Sequence, residues 1–170
     1  MSKPPSGASG ATRLLATVSL AVALLSACGG HAKKPPPPTE REWIDNAAGF
    51  IDNLGDTVLL TANGGSDLAS ARRALHNDSD LYAMVVAYTR LGGCEETLLN
   101  IGVPTPRVRE VERTLTVACR RFERSAALFT RAVTSSDPKT LLAATRTALR
   151  ASPLLYRAKS ELDAVRGSVK

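Results

Sequence analysis

Three cysteines and two histidines hold most of the reactive capacity of this 170-residue chain. Cys28 ends the run Leu25-Ser26-Ala27-Cys28, behind the uncharged apolar stretch Leu14 to Leu25 and just before Gly29-Gly30. Ser26 and Ala27 are small enough for an extended backbone to enter a peptidase cleft, and the Cys28 thiol is a nucleophile able to accept a diacylglyceryl group. Cys94 and Cys119 remain as an even pair. His31 sits in a proline-rich spacer and His76 has no second histidine between residues 40 and 170 to work with, so neither suggests a metal or a proton relay. No HExxH, phosphate loop or nucleophile elbow occurs. The acid pairs Glu95-Glu96 and Glu110/Glu112 point to different sides of a helix and cannot converge on one substrate atom. Asp78-Ser79-Asp80 lacks the remaining ligands of a calcium loop and reads as capping. No catalytic residue, metal or cofactor is assigned.

The segment ahead of Cys28 has the anatomy of an export signal. Lys3 and Arg13 form its basic region, and its apolar stretch of twelve residues is shorter than the roughly 20 needed to cross a bilayer. The run ending at Cys28 resembles the lipobox of bacterial lipoproteins. The resemblance implies a covalent diacylglyceryl lipid with fatty-acid (palmitate) chains on Cys28, cleavage before it, and an extracytoplasmic protein anchored to the cell membrane. An ordinary secretory signal with a coincidental cysteine, or a buried N-terminal helix, are the plainer readings. The expected organisation is a signal peptide over 1–27, a lipidated cysteine and tether over 28–39, and one domain over 40–170.

The tether reads GGHAKKPPPPT. Pro35 to Pro38 favour polyproline II at about 3.1 Å per residue, a stiff rod of roughly 12 Å behind a glycine hinge. Lys33 and Lys34 stand near the headgroups, where each basic residue contributes about 1 kcal/mol on an anionic surface; a merely solvated spacer is equally consistent. The chain's formal charge of +6 is concentrated outside the domain, whose 18 basic residues face 16 acids, so nucleic acid is not an expected partner. Within the domain, residues 40–100 hold four arginines against ten acids, and residues 101–170 hold fourteen basic residues against six acids. The simplest meaning is two complementary faces of one body.

Apolar residues recur at helical spacing throughout, and only Thr57 to Leu60 is ambiguous. The expectation is an all-α domain, an antiparallel up-and-down bundle of four to five helices. The first starts at Thr39, carries Trp43, Ile44, Ala47, Phe50, Ile51, Leu54 and Val58 inward, and stops at Asn63-Gly64-Gly65. A short second helix over Ser66–His76 turns Leu68, Ala71 and Leu75 inward. The third, Ser79–Ile101, carries Leu81, Met84, Val85, Tyr88, Leu91, Leu98 and Leu99, with Gly92-Gly93 marking a kink or close contact. The fourth, Arg107–Thr134, has the longest regular stripe. Pro153 is expected to divide the last region into two segments. Thr105-Pro106, Asp137-Pro138 and Ser152-Pro153 each read as a cap followed by proline in the first helical position.

In an exported domain the even pair Cys94 and Cys119 reads as a disulfide, with two buried thiols or metal binding as the other readings. Closing that loop would contribute about 3 kcal/mol. The segment Cys94 to Phe129, with Gly102, Pro104, Ala118-Cys119 and Phe122, resembles a pattern of small exported helical proteins from high-GC Gram-positive bacteria, which implies a stapled helical hairpin and nothing catalytic. Arg113, Arg120, Arg124 and Arg131 share one face of the fourth helix, a candidate surface for an acidic partner or for headgroups, or simply a solvated face. The function expected is therefore non-catalytic binding or scaffolding beside the membrane, with an envelope or protein partner whose identity, like the oligomeric state, the sequence leaves open. The alternative is a carrier enclosing a lipid or small apolar ligand near Met84, Tyr88, Phe122 and Phe129.

Overall fold

Thr39 fixes where the first helix begins. Its side chain accepts from the Glu42 amide at 3.3 Å while its own amide donates to the Glu42 carboxylate at 2.8 Å, a reciprocal capping box. The backbone bond from Thr39, and then its hydroxyl, hold the Glu42 carboxyl below its ordinary range. The computed structural model describes residues 36–168. They form α1 (Glu40–Thr61), a 3-10 turn (Ala62–Gly64), α2 (Leu68–Leu75), α3 (Asp78–Gly92), α4 (Cys94–Asn100), α5 (Arg109–Ser135) and α6 (Pro138–Ser168). No strand occurs among the described residues, and Thr57 to Leu60 belongs to α1. The signal segment, Cys28, His31, Lys33, Lys34 and the tether through Pro35 lie outside the described residues.

Six described helices stand where four to five were expected. The difference lies at Gly92-Gly93, which ends α3 and lets the chain restart as α4 at Cys94. Gly92 also permits a close approach, because a Cβ there would sit 3.3 Å from the Cβ of Ala126 on α5. The reading of Pro153 is overturned in the other direction. α6 runs unbroken through it, and Ala144, Ala148, Ala151, Leu155, Ala158 and Leu162 form one inward face, with Leu149 pointing outward. Proline removes the amide that would bond the Leu149 carbonyl, but the Ser152 hydroxyl donates to that carbonyl at 2.8 Å. Thr105-Pro106 does not start a helix either. α5 begins at Arg109, and the Thr105 hydroxyl instead donates to Glu40 at 2.6 Å. Asp137 does cap α6: its carboxylate accepts from the amides of Lys139 and Thr140 and from the Thr140 hydroxyl, and these bonds lower its pKa, the hydroxyl foremost.

The core gathers large side chains from α1, α3 and α5 against the small-residue face of α6. Trp43, Met84, Leu91, Leu115 and Phe122 are fully buried. Along α5 and α6, Arg107 donates to Ser168, Thr114 to Glu161, and Ser125 to the Ala144 carbonyl. Leu68, Val85 and Leu99, expected inward, are exposed. Each lies beside the true stripe of its helix, whose inner positions are taken by Ala71 and Ala74, by Met84 and Tyr88, and by Leu98. Four of the seven ion pairs among the described residues join the acidic first half to the basic second: Glu40 to Arg107, Glu95 to Arg120, Asp52 to Lys159 and Asp45 to Arg166. All are solvent-accessible, so each contributes about 0–1 kcal/mol, and they orient the two halves more than they hold them together.

One polar chain crosses this interior. The Thr145 hydroxyl donates to the Thr61 carbonyl at 3.4 Å, which leaves the Tyr88 hydroxyl as donor across its 3.3 Å contact with Thr145. The Tyr88 ring stacks on Phe129 with centroids 4.2 Å apart. Gly64 is required beside this chain, since a Cβ there would collide with the Thr145 hydroxyl and stand 3.2 Å from the Met84 sulfur. Cys94 and Cys119, both fully buried, have their sulfurs at bonding distance and their Cα atoms 5.1 Å apart.

Two outcomes follow from this core. Burial pushes the Tyr88 phenol up, so the folded state retains a proton that the unfolded chain releases near pH 10, and stability falls as pH rises beyond that point. Tyr88→Phe should therefore cost about 1 kcal/mol at neutral pH, and chemical denaturation series should show the gap to wild type narrowing above pH 10. A constant gap would dissociate the titration from Tyr88. Replacing both Cys94 and Cys119 with Ala, which opens a loop spanning 25 positions, should lower unfolding free energy by about 3 kcal/mol and abolish the effect of reductant on Tm.

Candidate functional site

The arginine face is set by α5 itself. Successive spacings of seven, four and seven residues bring Arg113, Arg120, Arg124 and Arg131 within about 20° of one line on a helix that turns 100° per residue. Val111, Leu115, Ala118, Phe122 and Phe129 occupy the opposite, buried side, so the arginines must face water. All four are exposed. Arg113 bonds Glu110 at 3.2 Å, and Arg120 lies 3.8 Å from Glu95. Arg124 and Arg131 make no ion pair among the described residues. Glu123, which could have neutralised them, turns the other way and accepts from the Glu95 amide at 3.1 Å, capping α4 across the interface with α5.

Beside these two arginines lies a groove of about 480 Å³ between α3 and α5. Its apolar wall includes Val85, Tyr88, Gly92, Ala126, Phe129 and Val133, while Thr89, Thr130 and Thr134 supply hydroxyls. Ala127 and Thr134, both lining it, each follow Arg124 and Arg131 by three residues, so the arginine face runs along the rim. Gly92 opens the floor by bringing no side chain. Glu123 also lines this groove, while Arg124 and Arg131 lie on the adjoining face of α5 outside it, so the channel is apolar with hydroxyls and one carboxylate, and it can hold an extended or helical segment bearing apolar side chains.

Other features named from sequence do not assemble a site. Met84, Tyr88, Phe122 and Phe129 are all buried, and Tyr88 and Phe129, stacked on each other, both border the groove between α3 and α5. His76 is an exposed residue at the C-terminal end of α2. Glu110 bridges Arg113 and Arg157 on the surface, and Asp78 and Asp80 form the first turn of α3, capped by Asn77 rather than Ser79. No group of three potential metal ligands occurs among the described residues, and no helix there is long and apolar enough to cross a membrane. Cys28 lies outside the described residues.

Two surface features were missed in the sequence. Leu59, Leu149 and Tyr156 stand exposed around a groove of about 470 Å³ between α1 and α6, and Leu99 in the last turn of α4 and Val103 just after it stand exposed. The signal available was an excess of apolar residues beside each stripe, as in Val58-Leu59-Leu60, which helical periodicity alone assigns to the core edge.

In comparison with known proteins, the chain matches no protein-family model, no curated protein and no solved structure.

Proposed function

We propose that this chain is an extracytoplasmic lipoprotein, held to the cell membrane through lipid on Cys28, whose helical domain binds an envelope or protein partner without catalysis. The observation that carries the binding reading is the exposed arginine face of α5, where Arg124 and Arg131 make no ion pair among the described residues, next to the groove between α3 and α5. The partner that suits it is an acidic, amphipathic protein segment. The domain is read as an antiparallel up-and-down bundle. Residue numbers on α5 rise as those on α6 fall through the pairs Thr114–Glu161 and Ser125–Ala144, and Arg107, just before α5, bonds Ser168 at the far end of α6, which supports that arrangement for the two longest helices.

The anchor is tested at the mature N-terminus. Mass spectrometry should find diacylglyceryl-modified Cys28 as the first residue, and Cys28→Ala should leave the membrane fraction; retention of that variant in membranes would remove the anchor. The binding face is tested by a photocrosslinking amino acid at Ala127 in intact cells. Arg124→Gln combined with Arg131→Gln should abolish adducts while changing unfolding free energy by less than about 1 kcal/mol, as expected for exposed charges. Unchanged adducts at unchanged stability would return the arginines to solvated surface.

A further inference from the structure

The start of α1 and the connection from α4 to α5 are fastened together at one end of the domain. A Cβ on Gly102 would lie 2.7 Å from the Pro38 ring, so the last proline of the tether sits directly on that glycine, whose φ of +104° suits no other residue. The Trp43 indole donates to the Gly102 carbonyl at 3.2 Å. Glu40 accepts from the Thr105 hydroxyl at 2.6 Å and pairs with Arg107 at 3.2 Å. Residues 38 to 43 therefore hold the 101–107 connection where the tether meets the domain.

This same end presents Leu99, 73% exposed, and Val103, 79% exposed. The Gly102 amide donates to the Leu99 carbonyl at 3.1 Å, so both residues flank the same turn at the end of α4. Neither contributes to the core, and an apolar pair this open gains nothing from water. Arg107 and Arg109 are exposed on the following turn. Glu40, the carboxylate fastened to this connection, is already taken up by Thr105 and Arg107. Cys28 precedes Pro38 by only ten residues, so a chain extending at most about 3.6 Å per residue holds Pro38 within roughly 36 Å of the acylated cysteine. The apolar pair thus stands beside the point where the tether enters the domain, at the Pro38–Gly102 contact.

We propose that Leu99 and Val103 form a second contact with the bilayer, entering its interfacial layer while Arg109 meets anionic headgroups. This rests on lipidation at Cys28. A single acyl chain holds a protein only marginally and a lipoprotein anchor holds it firmly, so the loop's role is to orient the domain, not to retain it. With this end down, the chain's binding surfaces acquire a fixed inclination to the membrane instead of swinging about the glycine hinge.

The chain's single tryptophan reports on this directly. Trp43 lies beneath the loop, bonded to Gly102, within range of a quencher carried at shallow depth in the bilayer. The full mature lipidated protein is reconstituted on vesicles of phosphatidylcholine and phosphatidylglycerol brominated near the top of the acyl chains, and both cosedimentation and Trp43 fluorescence are read. Wild type should cosediment and be quenched. Leu99→Ser combined with Val103→Ser, both surface changes, should cosediment equally but lose at least half of the quenching, and Arg109→Gln should reduce it on phosphatidylglycerol vesicles only. Wild type that cosediments with the same emission as the double variant overturns the loop contact and assigns the pair to solvent or a protein partner. Failure of wild type to cosediment overturns the anchor, and the loop contact with it.

Discussion

The close approach of α5 and α6 is the constraint on which the other helices depend. α6 offers Ala144, Ala148, Ala151 and Ala158 as its buried face, and α5 answers with Ala118, Ser125 and Ala132. Small side chains let the two backbones come near enough for Ser125 to donate directly to the Ala144 carbonyl at 2.7 Å. The two helices also bury Leu115, Phe122, Leu141 and Leu162, and Trp43, Phe50, Met84 and Tyr88 of α1 and α3 supply further bulk. Large residues set beside the alanine positions give a complementary fit.

Polar groups within this interior are few and all accounted for. No buried side-chain nitrogen or oxygen among the described residues lacks a partner. The Tyr88–Thr145–Thr61 chain is the clearest case: it draws α3, α6 and the end of α1 to one point, where Gly64 must be small. A hydrophobic core tolerates sliding, whereas a buried hydroxyl chain has one register. The polar residues therefore fix positions that the alanine seam leaves free.

Helix type and most helix starts were legible because they are local. Thr39 with Glu42, Asp67 and Asp137 each satisfy orphan amides within three residues, and the periodicity of α5 is unambiguous over its length. What failed were positions where a local rule meets an exception supplied nearby. Pro153 stays inside α6 because Ser152 covers the freed carbonyl, an interaction visible only once both residues are already helical. Leucine was preferred over alanine when assigning inner faces, so Leu68 and Leu149 were placed inward and Ala74 and Ala151 overlooked; in a seam of small residues that preference inverts. The arginine face was readable from spacing, but not which arginines would be neutralised, because Glu123 is withdrawn by the Glu95 amide on another helix. The groove and the apolar loop depend on how helices meet, which no single-helix pattern encodes.

The last helix touches α1, α2, the 3-10 turn and α5. Because α6 follows the other described helices in chain order, the large residues of α1, α3 and α5 leave the ribosome before the surface that covers them has been made. Collapse without α6 would leave Tyr88 without its Thr145 acceptor and Ser125 without the Ala144 carbonyl. The nascent polypeptide thus has no complete alternative to remaining open until α6 has been made, and the order of its elements acts as a timer on its own compaction.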